Sequence, residues 1–533
     1  MRDLDLSAWK MDVRSELAQL YGEHRADPLL ERFAALVEGY RHTRPEQLKQ
    51  RDETLAVDWF RDPRNAVYVL YADRFCPEAP RGQKLSALRE SLPYFEELGV
   101  NILHVLPILA STGDDGFAVS DYRQVDEALG TNEDCMALIQ AAHARGLWIT
   151  LDFVLNHVAD EHEWAKRAKA KDRDHVDYFI WDESGSGKSW DGVRDVFSEF
   201  APGHWDYVPE LASYVWATFY KRWPVAPGAR RDPGGVPRHP FAQWDLNYGN
   251  PEVLLGMIEN LLFLANWGVD MFRLDAVPHI WKQRGTPCRS LPQGGAIIRL
   301  LRAALGAVAP GTVLLAEANQ RYEDVLGYFD QGRGVHIAYQ FSLMPALWQA
   351  AIEGNDEAVD RELGRMASTE KATTAMASGC PPCWWVFSEC HDEVGLSTVD
   401  RATLEQLWDY FRQGAGGLPF KVEPGSRLPR AVSGTTFSLL HGDLDKIVRL
   451  WELKLRLSAH PQCRGAPLFY MGEELGVENL PLEASMLEDT RFVKRVPLTQ
   501  AMKARRSREG TKEHQLFQRL RALLGARTAK APG

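Results

Sequence analysis

The sequence predicts an α/β protein built on a (β/α)8 barrel, in which eight parallel strands close into a ring and helices cover the outside. Two observations favour this fold. From residue 65 onward, short apolar runs alternate with helical patterns for roughly 400 residues, which is typical of strand–helix repeats. Polar residues stand at the ends of several runs, where barrels of this type carry their chemistry. A doubly wound open sheet is the alternative fold.

Eight apolar runs are predicted as the barrel strands. In chain order they are AVYVLYADRF, VNILHVLPIL, LWITLDFVLNH, GVDMFRLDAV, TVLLAEA, VHIAYQF, WWVFSECHD and APLFYMGEE. Stretches such as NEDCMALIQAAHARG and NPEVLLGMIENLLFLANWG, which lie between them, have helical periodicity. Before the first strand, one buried helix face is predicted from residues that recur at three- and four-residue steps: Leu29, Leu30, Phe33, Leu36, Val37 and Tyr40.

These patterns divide the chain into three parts. We expect an N-terminal helical domain at 1–60 and a catalytic barrel at 61–500. The barrel carries insertions at about 158–248 and 393–435, where strand–helix alternation is interrupted. A helical remnant is expected at 501–533.

Composition excludes several classes of protein. The 533 residues carry a formal net charge of −11, which argues against a general nucleic-acid binder, because phosphate contacts need clustered Lys and Arg. No stretch approaches the roughly 18 apolar residues that span a membrane. The charged start and the seven irregularly spaced cysteines indicate a cytoplasmic protein with reduced thiols.

Polar residues that follow four of the strands are the candidates for function. They are Asp152, Asn156 and His157 after the third strand, Arg273 and Asp275 in the fourth, Glu317 after the fifth, and His391 and Asp392 after the seventh. A single Asp after a strand is more often a helix N-cap. Carboxylates converging on one barrel mouth repel one another, however, so the joint pattern favours a functional site.

Two carboxylates that face each other across a sugar are the machinery of a retaining glycosidase. We assign Asp275 as the nucleophile and Glu317 as the acid and then the base. Arg273 lies two residues before Asp275 on the same strand face, so it is expected to keep that carboxylate ionised and oriented.

These motifs resemble the four short regions of the α-amylase superfamily, glycoside hydrolase family 13. They occur in order as DFVLNH, MFRLDAV, LLAEAN and ECHDE. Further stretches, among them DGFAVSDYRQVDEALGT, FAQWDLNYGNPEV and AVPHIWKQRGTPC, resemble the amylosucrase group more narrowly. The resemblance covers roughly residues 60 to 500.

The resemblance implies further roles. Asp392 would bind hydroxyls of the distorted glucosyl ring, with the other expected contacts made by His391, His157, Phe117 and Phe219. Asp114 would pair with a distant arginine, Arg495 rather than Arg491, and so close the pocket beyond one glucosyl unit. Arg430 and Glu393 would face the fructosyl side.

The chain departs from the group's pattern at several points. Asp115, Gly116 and Phe117 replace the usual Gly-Gly-Tyr, and Glu393 replaces an aspartate. An insert rich in Pro, Gly and Arg occupies 221–240. The C-terminal β-domain usual in the family is expected to be absent or truncated.

The resemblance implies a sucrose-using glucosyltransferase that acts through a covalent β-glucosyl-enzyme. Its partners would be sucrose or a related α-glucoside and a glucan or water acceptor, with no nucleic acid or membrane. Neither a cofactor nor a metal is expected, because carboxylates alone support this reaction. Three alternatives stay open: a sucrose hydrolase, another α-glucoside phosphorylase or isomerase of the superfamily, and a degenerate barrel that binds sugars without catalysis.

Overall fold

The computed structural model describes most of the chain. The described residues are 6–188, 190–194, 196, 203–219, 243–373, 381–414, 416–422, 425–483 and 489–530. The insert predicted at 221–240 lies outside them.

Eight parallel strands form a closed barrel, which confirms the predicted fold and excludes the open sheet. The barrel strands are β1 (Val67–Leu70), β2 (Ile102–Val105), β3 (Trp148–Val154), β4 (Met271–Asp275), β5 (Val313–Ala316), β6 (Ile337–Tyr339), β7 (Cys383–Val386) and β8 (Ala466–Tyr470). Each pairs with its neighbours in chain order, and β1 pairs with β8 to close the ring. These are the eight segments predicted from the sequence.

The barrel strands are readable in the sequence because both of their faces are buried. Every residue of β1, β2, β4 and β8 is buried. Strands of an all-parallel sheet therefore appear as continuous apolar runs rather than as alternating patterns. Polar residues that interrupt such a run, as in β4, need partners inside the protein.

Helices follow most of the strands. Those before β4 are Ala72–Phe75, Lys84–Glu90, Leu92–Leu98, Asn132–His143, Glu163–Lys169, Arg173–Val176 and Pro251–Ala265. Those between β4 and β8 are Pro292–Val308, Tyr322–Phe329, Leu343–Glu353, Glu357–Thr373, Arg401–Phe411, Thr436–Leu439 and Leu444–Ser458. Local sequence sets their starts: a capping box joins Thr131 and Asp134, and Asn250 precedes Pro251 at the first helical position.

Short antiparallel strands lie outside the barrel. They pair as Leu109–Ser111 with Val119–Val125, His157–Ala159 with Gln243–Asp245, Trp205–Val208 with Ser213–Trp216, and Pro429–Ser433 with both Val394–Gly395 and Leu418–Val422. Three of these groups fall in the predicted insertions, to within one residue. All leave the barrel from the carboxyl ends of β2, β3 and β7, so they build walls around its mouth.

Helices at both ends of the chain pack onto the barrel. The first three are Leu6–Tyr21, Glu23–Thr43 and Glu46–Thr54. Phe33, on the face of Glu23–Thr43 that was predicted to be buried, is fully buried. After β8 the described chain is helical, with Gln500–Ala504 and Lys512–Lys530. The last of these packs against Leu92–Leu98 and Leu444–Ser458. Within the described part of the chain, no helix combines the length and apolarity needed to cross a membrane.

Candidate active site

A cavity of about 480 Å³ opens at the carboxyl ends of the barrel strands. Twelve of the predicted site residues line it: Asp114, Phe117, His157, Phe219, Arg273, Asp275, Glu317, His391, Asp392, Glu393, Arg430 and Arg495. Asp152 and Asn156, which were also candidates from the sequence, do not line it. The barrel thus brings together side chains from distant parts of the sequence. Their chemical roles stay predictions.

Arg273 links two carboxylates at the centre of the site. Strand pairing sets Arg273 beside Asp152 on β3, and the two-residue spacing puts Asp275 on the same face of β4. The Arg273 Nη1 donates to Asp152 Oδ1 at 2.5 Å and to Asp275 Oδ1 at 2.8 Å. An arginine is tolerated in this strand because its charge is satisfied on both sides.

Asp275 and Glu317 both have raised pKa values. Burial raises the pKa of Asp275 to about 6, although the Arg273 guanidinium acts in the opposite direction. Burial and the negative charge of Asp275 raise the pKa of Glu317 to about 7 against the same guanidinium. The two carboxyls therefore differ in protonation state between these two pKa values. At about pH 6.5, most of the Asp275 carboxyl is ionised and most of the Glu317 carboxyl is protonated.

The loop after β4 holds the Glu317 carboxyl in place. The Ala276 N–H donates to Glu317 Oε2 at 2.8 Å, and the Val277 N–H donates to the Glu317 carbonyl oxygen at 3.2 Å. Ala276 has φ 52°, in the left-handed region that an alanine rarely adopts. Backbone strain of this kind occurs where the surrounding structure fixes a functional geometry.

Asp392 is ionised by its cationic neighbours. Its Oδ1 accepts from Arg491 Nη1 at 2.7 Å, and Arg495 Nη2 lies at 3.8 Å. Burial alone would raise the pKa of Asp392, but the surrounding positive charges lower it well below its usual range. Asp392 therefore supplies a permanent carboxylate to the cavity, suited to accept hydrogen bonds from hydroxyl groups.

Arg495 binds Asp115 rather than the expected Asp114. Its Nη1 pairs with Asp115 Oδ2, and Arg74 donates to the other oxygen of that carboxylate at 2.9 Å. Asp114 instead accepts from the Gln243 side chain at 3.0 Å. The predicted pairing is corrected by one residue, because the extra carboxylate at 115 lies within ion-pair distance of both Arg74 and Arg495.

Aromatic rings form two walls of the cavity. Phe117 stacks on His391, with ring centroids 5.3 Å apart and planes 10° apart. Phe219 meets His157 edge-on at 5.3 Å and His279 at 5.7 Å. Flat apolar faces of this kind suit the carbon-bound hydrogens of a pyranose ring.

The two predicted site histidines are neutral at pH 7. Burial lowers the pKa of His157 to about 4 and that of His391 to about 3. The Nε2 of His157 lies 3.2 Å from the Phe117 carbonyl oxygen, so this nitrogen carries the proton and donates. Neither ring therefore adds charge to the cavity, and the second His157 nitrogen, Nδ1, faces the Asn156 amide at 3.3 Å.

Asp245 is the hub of a buried network behind the wall that carries Phe219. Its carboxylate accepts from Thr218 N at 2.9 Å, Thr218 Oγ1 at 2.6 Å and Asn156 Nδ2 at 3.0 Å. The Lys282 ammonium lies 2.5 Å from Asp245 Oδ2 and also donates to Asn156 Oδ1 at 2.5 Å. Four separate chain segments are thereby joined next to Phe219.

The buried Glu393 carboxylate forms an ion pair with the half-buried Lys421. Lys421 belongs to Leu418–Val422, and Arg430 belongs to the strand that pairs with it. The cavity wall near Glu393 is therefore built by the insertion that follows β7.

Comparison with known proteins gives the family. The model of the α-amylase catalytic domain matches residues 69–225. A glucosylglycerate phosphorylase from Allomeiothermus silvanus is 31% identical over 443 residues, which cover 81% of this chain and 69% of that protein. The chain belongs to the α-amylase family, glycoside hydrolase family 13.

Other relatives of this chain are named as trehalose synthases rather than as phosphorylases. The Thermus thermophilus trehalose synthase is 31% identical over 428 residues, covering 79% of this chain, but this chain spans 39% of that protein's length. It spans 65% of the trehalose synthase/amylase TreS of Mycolicibacterium smegmatis, which is 30% identical over 437 residues and 80% of this chain. The resemblance to the amylosucrase group stays a prediction.

A solved structure shares the fold. Sucrose 6F-phosphate phosphorylase from Thermoanaerobacter thermosaccharolyticum superposes with a TM-score of 0.64 at 20% identity, covering 89% of this chain and 87% of the other.

Several site residues of this α-amylase-family chain were not predicted. Three ion pairs arise from contacts between distant segments of the chain. They are Arg491–Asp392, Lys421–Glu393 and Lys282–Asp245. The one sequence signal was an aspartate that interrupts a short apolar segment, at Asp245 in FAQWDL.

Among the described residues, one cluster carries potential metal-ligand atoms within 4.8 Å of one another: Cys390, His391 and Asp392. Burial raises the pKa of Cys390 to about 12, so its sulfur stays a thiol rather than the thiolate that binds metals. Asp392 is already paired with Arg491. These residues of the α-amylase-family chain fit a metal poorly.

Proposed function

We propose that the chain is a retaining enzyme that takes a glucosyl unit from an α-glucoside, sucrose being the first donor to test. The observation that carries this proposal is the unequal pair at the cavity: Asp275 clamped by Arg273, with Glu317 fixed by the Ala276 N–H and carrying the higher pKa. That arrangement supplies a nucleophile and an acid in one site.

The reaction has two steps. Asp275 attacks the anomeric carbon, the glycosidic C–O bond breaks, and Glu317 gives its proton to the departing oxygen. An acceptor O–H then attacks the same carbon, its proton passes to Glu317, and the bond to Asp275 breaks. Asp392 binds hydroxyls of the glucosyl ring as positive charge develops on it, and Phe117 packs on its face.

A phosphorylase or isomerase of the same chemistry is the second candidate. It is favoured by the relatives' names, which include glucosylglycerate phosphorylase and trehalose synthase. The same covalent intermediate serves transfer to glucan, phosphate, sugar or water, so these candidates differ only in the acceptor. The complete set of poised carboxylates argues against a barrel that only binds sugar.

The test begins with sucrose, with and without glycogen, and quantifies fructose, glucose and polymer. Fructose in excess of glucose supports transfer, and equal amounts support hydrolysis. Trehalose and other α-glucosides follow, each with and without phosphate. Mass spectrometry checks for a glucosyl adduct on Asp275. Activity that persists in Asp275→Asn, or a wild-type protein that cleaves no α-glucoside, would contradict the proposal.

A further inference from the structure

Among the described residues that line the cavity, basic side chains outnumber acidic ones. Three of its cations face carboxylates of the same cavity, in the pairs Arg273–Asp275, Arg491–Asp392 and Lys421–Glu393. The other basic lining residues include Arg289, in the loop that follows β4. The whole chain is acidic, with a net charge of −11, so positive charge here is a local property of the site.

Arg289 stands beside the segment that carries the catalytic acid. Its Nη2 donates to the Asn319 carbonyl oxygen at 2.8 Å, two residues beyond Glu317. Within the described ranges, no carboxylate lies at ion-pair distance from Arg289. Since Glu317 protonates the leaving oxygen and deprotonates the acceptor, a group next to Asn319 faces the leaving-group and acceptor side.

The backbone holds Arg289 in a strained and anchored loop. The residues on either side of it, Cys288 with φ 50° and Ser290 with φ 55°, both occupy the left-handed region. The Ser290 N–H donates to the Pro278 carbonyl oxygen at 2.7 Å, and its Oγ accepts from Gln320 Nε2 at 2.6 Å. Backbone strain of this kind persists only where the surrounding structure fixes the loop, and it is concentrated at sites where a side chain must be positioned.

We propose that Arg289 binds an anionic group, a phosphate or a carboxylate, on the acceptor side of this cavity, so that the enzyme moves glucosyl units to or from anionic partners. The inference rests on the proposed glucosyl transfer and names its substrate class. A guanidinium suits both groups, because its planar fork forms two parallel hydrogen bonds with either of them. Glycans and water, which carry no charge, gain nothing from it.

The experiment compares acceptors that differ in charge. The donor is α-glucosyl fluoride, and the acceptors are inorganic phosphate, glycerate and its neutral counterpart glycerol. We expect kcat/KM for at least one anion to exceed that for glycerol by about tenfold or more, the strength of a charge-assisted contact. The advantage should fall with added KCl, which screens charges near the surface.

Two variants isolate the arginine. Arg289→Ala should bring the anion-to-glycerol ratio of kcat/KM close to one, and Arg289→Lys should restore part of it. Arg284→Ala is the matched control, because Arg284 lies on the same loop but does not line the cavity. This control should keep the wild-type ratio.

The acceptor results identify the anion. A preference for phosphate alone supports a phosphorylase, a preference for glycerate alone supports a carboxylate partner, and a preference for both supports the shared anion site. Equal use of glycerol and the anions by wild type, or an unchanged ratio in Arg289→Ala, would overturn the inference. In those two cases a glucosyl adduct on Asp275 still supports the proposed function. If no adduct forms with any donor, both proposals fail.

Discussion

Single residues at this site hold different protonation states through their neighbours. Asp392 is kept ionised by Arg491, Asp275 is buried but clamped by Arg273, and Glu317 receives only one backbone N–H. The number of cationic contacts thus falls from Asp392 to Glu317, and the pKa rises in the same order. The environment of each carboxyl, rather than its residue type, sets its protonation state.

The first prediction concerns pH. The proposed mechanism requires ionised Asp275 and protonated Glu317, whose pKa values are about 6 and about 7. We expect kcat/KM for an α-glucoside to rise as pH increases through the lower value and to fall above the higher one. The apparent pKa values of the rising and falling sides of this profile describe the interacting pair rather than either residue alone. A pH–rate profile in Glu317→Gln with α-glucosyl fluoride, which needs no acid, should lose the alkaline limb of adduct formation.

The second prediction is that Glu317→Gln stabilises the folded protein at alkaline pH. The folded-state pKa of Glu317, about 7, lies above the ordinary glutamate pKa of 4.5, so stability is lost as pH rises between these values. The loss is complete above pH 7 and on the order of 3 kcal/mol. Thermal unfolding should show the variant to be more stable than wild type at pH 8. At pH 4, where Glu317 is protonated in both states, the advantage should disappear. An equal advantage at both pH values would contradict the charge explanation.

At the scale of elements, a buried lysine joins the loop after β7 to the segment Thr490–Lys494. Lys494 Nζ lies 3.2 Å from Glu389 Oε2 and donates to the Asp392 carbonyl oxygen at 3.0 Å. Lys494 is fully buried, and Glu389 is 2% exposed. Burial raises the pKa of Glu389, against which the Lys494 ammonium acts. One ammonium therefore sets the position of the Asp392 backbone.

The third prediction tests this link. Lys494→Met leaves the Glu389 carboxyl buried without its cation, which should cost about 3–5 kcal/mol of stability and lower kcat. The double variant Lys494→Met, Glu389→Gln removes both charges and should regain most of the stability. Its kcat should stay low, because the Asp392 carbonyl still lacks its donor. Urea denaturation and steady-state kinetics measure the two effects separately. Full recovery of kcat in the double variant would show that the lysine does not position Asp392.

The sequence predicts those elements whose pattern is local. All eight barrel strands were found because a strand buried on both faces is a continuous apolar run. The positions of Asp275 and Glu317 at the cavity could be predicted because polar residues interrupt or follow such runs, while their roles stay predictions. The contact of Arg495 with Asp115 was not found, since it joins residues 380 positions apart and its choice between two adjacent aspartates depends on side-chain geometry. Partners such as Lys421 could not be predicted for the same reason. The sequence alone does not show whether a lysine is solvated or paired with a distant carboxylate.

At the scale of the whole molecule, the final helix stabilises the barrel closure. Lys512–Lys530 packs against Leu92–Leu98, which follows β1, and against Leu444–Ser458, which precedes β8. Leu520, in the middle of this helix, is fully buried. The helix thus spans the two ends of the sheet that meet when the ring closes.

The fourth prediction concerns this closure. Leu520→Ala should lower the free energy of unfolding by about 2–5 kcal/mol through the cavity it creates. Arg521→Ala, on the exposed face of the same helix, should change it by less than about 0.5 kcal/mol. Hydrogen exchange in Leu520→Ala should increase first in β1 and β8. A uniform increase over all eight strands would mean that the helix stabilises the barrel without a special effect on the closure.

The pairing of β1 with β8 also affects how the protein is made. Val67 pairs with Leu468. One edge of β1 therefore stays unpaired during synthesis until the ribosome has added about 400 further residues. At typical rates of synthesis this delay is roughly 20 to 80 s. During it, the apolar edge of β1 is available to other nascent chains, as unpaired strand edges are in general. We therefore expect the cellular yield of folded protein to depend on the speed of translation between these two strands.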